Sequence, residues 1–280
     1  MTTRRHFLKA ACALSAVGVL SCSKKESEMG QKTIPLGVQL YSVRTECEKD
    51  FPGTIQKIAG IGYAGVEFAG FYGYSAPDIK KILDDNGLAC CGSHTQLTAL
   101  APDTIDATID FNAVLGNKYL IVPWLPEEKR QTVDDWKKLA EEFNVLAEKV
   151  KAQGMLVGYH NHDFEFKPID GQLPWDVFAQ NTNDDVILQL DTGNCMHGGG
   201  DAIATLKRYP GRATTIHLKE FSETNPNAIL GEGDVAWQQV FEFCESLGGT
   251  EWYIVEEEKD IYPPLEAIAK CYANFEELKA

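Results

Sequence analysis

Four short stretches carry the residue types that could do chemistry: Gly158-Tyr159-His160-Asn161-His162-Asp163-Phe164-Glu165-Phe166, Leu190-Asp191-Thr192-Gly193-Asn194, Ile216-His217-Leu218-Lys219-Glu220 and Tyr253-Ile254-Val255-Glu256-Glu257-Glu258. From them, His160, Asp191, His217 and Glu256 supply two imidazoles and two carboxylates. Such a nitrogen–oxygen donor set suits one borderline divalent ion, Mn, Zn or Co, better than Ca or Mg. Each residue alone would read as a hydrogen-bonded core group or a solvated strand end. A metal centre becomes the better reading because all four occupy equivalent points of a repeating unit.

That unit is a strand followed by a helix. From Ile34 onward, short apolar runs alternate with amphipathic segments, and strands are expected at 35–40, 64–68, 88–93, 119–123, 155–160, 186–191, 213–218 and 252–256. Ser75-Ala76-Pro77-Asp78 and Thr132-Val133-Asp134-Asp135 read as acidic capping boxes that start helices. Gly87, Gly116 and Gly154 supply left-handed stops. Eight such units with right-handed crossovers predict a closed parallel sheet, a (βα)8 TIM barrel in one α/β domain over 34–280. An open doubly wound sheet is the alternative, but the first strand is not followed by a Gly-rich dinucleotide fingerprint.

Strand side chains alternate between faces, so an inward row can be read for each strand. The inward residues near the carboxyl ends are Gln39, Glu67, His94, Trp124, His160, Asp191, His217 and Glu256. They converge where barrel enzymes hold their chemistry. Lys219 shares the face of His217 and is expected to hold a substrate oxygen or to pair with Glu256 or Glu258. Gln39, Glu67 and His94 are expected to bond substrate hydroxyls or to orient a ligand. Trp124 and Phe71 offer ring faces for stacking a sugar.

The region from Ile34 to Ala280 resembles the sugar phosphate isomerase/epimerase superfamily, with its xylose-isomerase-like TIM barrel. The likeness is carried by Gly37-Val38-Gln39-Leu40-Tyr41-Ser42-Val43-Arg44, by Leu-Asp-Thr-Gly at 190–193, by His-Leu-Lys at 217–219 and by Glu256. The resemblance implies one divalent metal held by Glu, Asp, His and Glu on strands five to eight. Asp191, His217 and Glu256 match the last three positions, whereas strand five offers His160. Either His160 ligates as a neutral imidazole, or Glu165 takes that place and His160 serves as a base.

A metal that chelates a carbonyl and its neighbouring hydroxyl acidifies the shared C–H and stabilises the resulting enediolate. The implied activity is therefore that of a metal-dependent sugar isomerase or epimerase, with His160, His162, Glu165 and Glu256 as its acid–base candidates. A histidine base would equally suit elimination, as in inosose dehydratases and the lyases of 3-keto-glycosides. A third reading is a non-catalytic sugar-binding lipoprotein on the same barrel. An acidic rim, with only Arg44 and Lys219 near it, favours an unphosphorylated small carbohydrate.

The chain has 280 residues and a net charge of −15, which falls to −18 once Arg4, Arg5 and Lys9 of residues 1–21 are set aside. Such a surface repels phosphate backbones, which argues against nucleic acid and against a nuclease on this barrel. Residues 1–21 resemble a twin-arginine export signal, and Val19-Leu20-Ser21-Cys22 a lipoprotein cleavage box. Cys22 would then anchor the protein to a membrane on the periplasmic side through a tether over 22–33, with no spanning helix. The remaining cysteines match no zinc pattern and read as small buried hydrophobes. A homo-oligomer is compatible with a lone barrel.

Overall fold

Strands form where the apolar runs place them: β1 (Leu36–Gln39), β2 (Gly65–Phe68), β3 (Ala89–His94), β4 (Tyr119–Val122), β5 (Leu156–His160), β6 (Ile187–Gln189), β7 (Thr215–Leu218) and β8 (Trp252–Val255). The computed structural model describes residues 33–280. The export signal, Cys22 and all but the last residue of the tether lie outside the described residues. Every strand pairing is parallel, in the order β6-β5-β4-β3-β2-β1-β8-β7. β6 and β7 complete the ring through a single bridge, Asp191 with His217, and the His217 amide donates to the Leu190 carbonyl at 2.9 Å. The result is the predicted (βα)8 barrel. Among the described residues, no helix is long and apolar enough to cross a membrane.

Local chemistry fixes the helix ends. Thr132 and Asp135 form the full reciprocal capping box that starts the helix Val133–Lys151. Ser75 accepts from the Asp78 amide but donates its own hydroxyl to the Asp78 carboxylate, so the reciprocal half of that box is missing. Gly87, Gly116 and Gly154 take φ of +67°, +73° and +73°, the left-handed stops expected of them. All six described cysteines beyond the tether are free and buried.

Two aspects of packing place the site. Outside the barrel, Tyr159 is interlocked with Trp136, Phe143, Trp175 and Phe178. Burying each such side chain contributes about 1.5–3 kcal/mol, and here it pins β5 and hence its next residue, His160. Inside, Tyr119, Ile121 and Ile187 plug the amino end of the lumen, with Leu156 and Trp252 against them. At the other end, β3 carries one extra residue where its pairing to β2 shifts between Val66 and Glu67. That bulge sets Gly92 opposite Glu67, and a Cβ at 92 would lie only 2.5 Å from the Glu67 Oε1. Glycine clears the space that the buried carboxylate occupies.

Candidate active site

The four predicted ligands meet at the carboxyl end of the barrel. One donor atom from each of His160, Asp191, His217 and Glu256 lies within 4.8 Å of the others, and all four residues are buried. His217 is gripped from both sides, with Nδ1 2.5 Å from Glu256 Oε2 and Nε2 2.6 Å from Glu67 Oε2. Burial alone would strip its proton, but the two carboxylates outweigh burial and raise its pKa to about 10. Burial works to raise the Glu67 carboxyl, but the neighbouring His94 and His217 outweigh it and hold the group well below the usual carboxylate range. His160 is driven well below its ordinary value, first by burial and then by His217.

Asp191 caps the helix Thr192–His197 by accepting from the Asn194 amide at 2.7 Å through Oδ1. Its Oδ2 is buried without a hydrogen-bond partner, and burial pushes the carboxyl up to about 7. Lys219 Nζ is 3.9 Å from that oxygen, beyond hydrogen-bond range. An orphaned buried acceptor costs about 1–3 kcal/mol unless a positive group takes it. The donor chemistry around it fits a cation. Glu67 holds His217 at Nε2 and Gln189 holds His160 at Nδ1, so the other nitrogen of each ring points into the cluster, that of His217 already against Glu256. His94 also lies near His160 and His217, but its Nε2 is engaged by Gln189 at 3.1 Å and Glu67 at 3.2 Å.

Beside the cluster opens a cavity of about 330 Å³, lined by Tyr41, Ala69, His94, Gln96, Pro123, Trp124, His160, His162, Glu256 and Glu258. That volume exceeds a single sugar ring. Among the described residues, none that lines it is Lys or Arg. Arg44 instead lies over the Tyr41 ring at 4.1 Å. Lys219 is committed to carboxylates: it bonds Glu258 and stands 3.8 Å from Glu256, and these charges raise its pKa despite burial. His162 stacks flat on Phe164, and its Nδ1 has no hydrogen-bond partner. Burial lowers its pKa to about 4, so the ring is neutral at neutral pH.

Other expected site residues stand elsewhere. Gln39 and Glu67 are fully buried beneath the cavity rather than lining it; Gln39 Nε2 donates to Glu67 Oε2 at 2.8 Å. Neither is among the residues that line the cavity. Glu165 is not part of the cluster. Its carboxyl lies on the helix side of β5, sharing a hydrogen bond with the Tyr159 hydroxyl and accepting from the His162 amide at 2.8 Å. Strand alternation explains this, because Tyr159 and His160 face opposite ways. The strand-five place in the cluster therefore belongs to His160, and Glu165 shapes the turn that presents His162. Trp124 does line the cavity and is 45% exposed, whereas Phe71 packs on Phe68 and Phe111.

Sequence reading gives Tyr41 and Gln96 no place on the cavity wall and offers Glu258 only as a partner for Lys219, although all three line the cavity. They lie beyond the strand ends, where alternation no longer assigns a face. Gln189 was legible as an inward residue, but nothing along the chain marks the four bonds it makes.

A closed parallel barrel with an imidazole–carboxylate cluster at its carboxyl mouth defines a class, and the comparison with known families agrees. The chain belongs to the xylose isomerase-like TIM barrel family, whose model matches residues 55–275. Among curated proteins it is similar to the inosose dehydratase of Serratia proteamaculans, 25% identical over 252 residues that span 76% of this chain and 84% of that protein. Among solved structures it is similar to a sugar phosphate isomerase/epimerase from Parabacteroides distasonis, with a TM-score of 0.75, 26% identity and coverage of 88% of this chain and 96% of that one. The fold is also shared with the IOLI protein, solved with a zinc atom bound, at a TM-score of 0.66, 14% identity and coverage of 88% and 98%.

Proposed function

We propose that the protein is a metal-assisted lyase that eliminates water or an alcohol from an unphosphorylated keto-sugar or inosose-like cyclic ketone. The observation that carries this reading is the strand-five pair of imidazoles. His160 stands where an epimerase of this superfamily is expected to place one of its two catalytic carboxylates, and His162 adds a neutral base on the cavity wall outside the ligand set. The similarity to inosose dehydratases supports the same choice.

His160, Asp191, His217 and Glu256 would hold the divalent ion. When bound, it supplies Lewis acidity that lowers the energy of negative charge developing on a ketone oxygen. His162 takes the proton from the carbon next to the ketone, and the C–H electrons form the new double bond as the β-carbon–oxygen bond breaks. The same imidazolium returns its proton to the departing oxygen, so water or an alcohol leaves and His162 is neutral again. The Lys219 ammonium adds positive charge beside Asp191 and Glu256. Trp124 offers a face for the ring to stack on. A cavity wall without Lys or Arg supports an uncharged substrate over a phosphorylated one.

The isomerase or epimerase reading rests on the likeness to the Parabacteroides distasonis structure. Incubating metal-loaded protein with inososes, keto-sugars and 3-keto-glycosides in deuterated water separates the two. Loss of water or alcohol is expected. Deuterium entering the α-carbon with every substituent retained would instead mean isomerisation, and binding without exchange would mean a sugar-binding protein. We also propose export through Arg4-Arg5 and lipid anchoring at Cys22; Cys22→Ala is expected to move the protein from the membrane fraction to the soluble one.

A further inference from the structure

Gln189 sits at the end of β6 on the inward row, two residues before Asp191, and is fully buried. Its amide makes four hydrogen bonds. Nε2 donates to Glu67 Oε1 at 2.8 Å and to Thr215 Oγ1 at 2.9 Å. Oε1 lies 3.2 Å from His160 Nδ1 and 3.1 Å from His94 Nε2. The direction of the amide is set by Glu67, because a carbonyl oxygen turned toward that carboxylate would have no hydrogen to share. The oxygen must therefore face the imidazoles, where it can only accept. His160 Nδ1 has to carry the hydrogen, and Nε2, 4.0 Å from Glu256 Oε2, is left with its lone pair toward the cluster.

We infer that Gln189 is a positioning residue that fixes the tautomer of His160, relaying the orientation of Glu67 on β2 to the ligand nitrogen on β5. The inference rests on reading the four-residue cluster as a metal centre for its consequence, but not for its geometry. A neutral amide suits the task where a carboxylate would not. It satisfies an anion on one side and two imidazoles on the other, and it brings no further charge into a buried site that already holds Glu67, Asp191 and Glu256.

Nitrogen-15 NMR of histidine-labelled, metal-free protein at mildly alkaline pH reads the tautomer directly. The wild-type protein is expected to show hydrogen on Nδ1 of His160, and hydrogen on Nε2 would overturn the inference. Gln189→Met removes the acceptor at similar volume and is expected to give mixed or reversed tautomers. It should also weaken zinc binding, read by chelator competition, by about 10- to 100-fold. Gln189→Glu keeps an acceptor toward His160 but sets a second carboxylate against Glu67, so it is expected to keep the Nδ1–H tautomer while losing stability, which a merely space-filling role would not predict. Wild-type zinc affinity and tautomer in Gln189→Met would overturn the inference. Failure of the wild-type protein to bind zinc, with Nδ1–H intact, would defeat the metal reading and leave the tautomer control standing. Should either variant fail to fold, the wild-type spectrum alone still decides the tautomer.

Discussion

Glu67 and His217 are 150 residues apart in sequence and 2.6 Å apart in the barrel, each fully buried. The carboxylate holds a hydrogen on Nε2 of the imidazole and thereby turns Nδ1 toward the ligand cluster. Glu67→Gln keeps the shape but sets an amide hydrogen against donors from Gln39, His94 or His217. Divalent-metal affinity is expected to fall about 10- to 100-fold. Breaking this buried pair should also cost about 3–5 kcal/mol of stability, measured by chemical unfolding.

Asp191 performs two tasks through two oxygens, and they can be separated. Asn is as good a helix cap as Asp, so Asp191→Asn preserves the bond to the Asn194 amide. It also removes the buried negative charge on an oxygen without a partner. With a chelator present, the variant is expected to be at least as stable as the wild-type protein, by up to about 3 kcal/mol. Metal should stabilise the wild-type protein against unfolding by about 2.7 kcal/mol at a hundredfold excess over Kd, and leave the variant nearly unmoved.

Burial raises Glu165 from 4.5 to about 8. Between those values the folded protein keeps a proton that the unfolded chain releases, so stability falls as pH rises through that window and levels off above it. The slope is at most about 1.4 kcal/mol per pH unit from this group. Glu165→Gln carries the neutral form permanently and is expected to flatten the profile. Urea unfolding at the two ends of the window checks it, and an unchanged slope would show that Glu165 does not titrate there.

Trp124 is a little under half exposed on the cavity wall. Trp124→Ala should therefore change stability by less than about 0.5 kcal/mol. If the ring stacks on the substrate throughout the reaction, KM rises roughly two- to tenfold while kcat holds. Steady-state kinetics on the substrate found in the deuterium experiment distinguishes this from a role in chemistry, which would lower kcat.

How far the chain betrays its structure depends on whether a feature is local. Alternation along a strand is local, and it brings His160, Asp191, His217 and Glu256 to one mouth, where the structure has them. Capping at Thr132 and the glycine stops are local as well. The parts that stayed hidden are contacts across the lumen. The bulge in β3 depends on β2, and the bonds of Gln189 depend on β2, β3, β5 and β7. That His160 rather than Glu165 joins the cluster is not legible either, because Glu165 lies beyond the end of β5, in a single 3-10 turn that carries its carboxyl back to Tyr159. Gln39 and Glu67 were placed on the correct face, but their depth follows from side-chain length and neighbours, which a pattern of alternating letters does not record.

The seam between β6 and β7 is stitched by one bridge, and its two members, Asp191 and His217, are also two of the four residues of the cluster that could hold an ion. An ion seated there would act as a clasp on the cylinder at its most loosely sewn edge. Demetallation would then slacken the architecture along that line, and amide hydrogens of Leu190 to Thr192 and Thr215 to Lys219 should exchange faster than those of the fully laddered strands across the barrel.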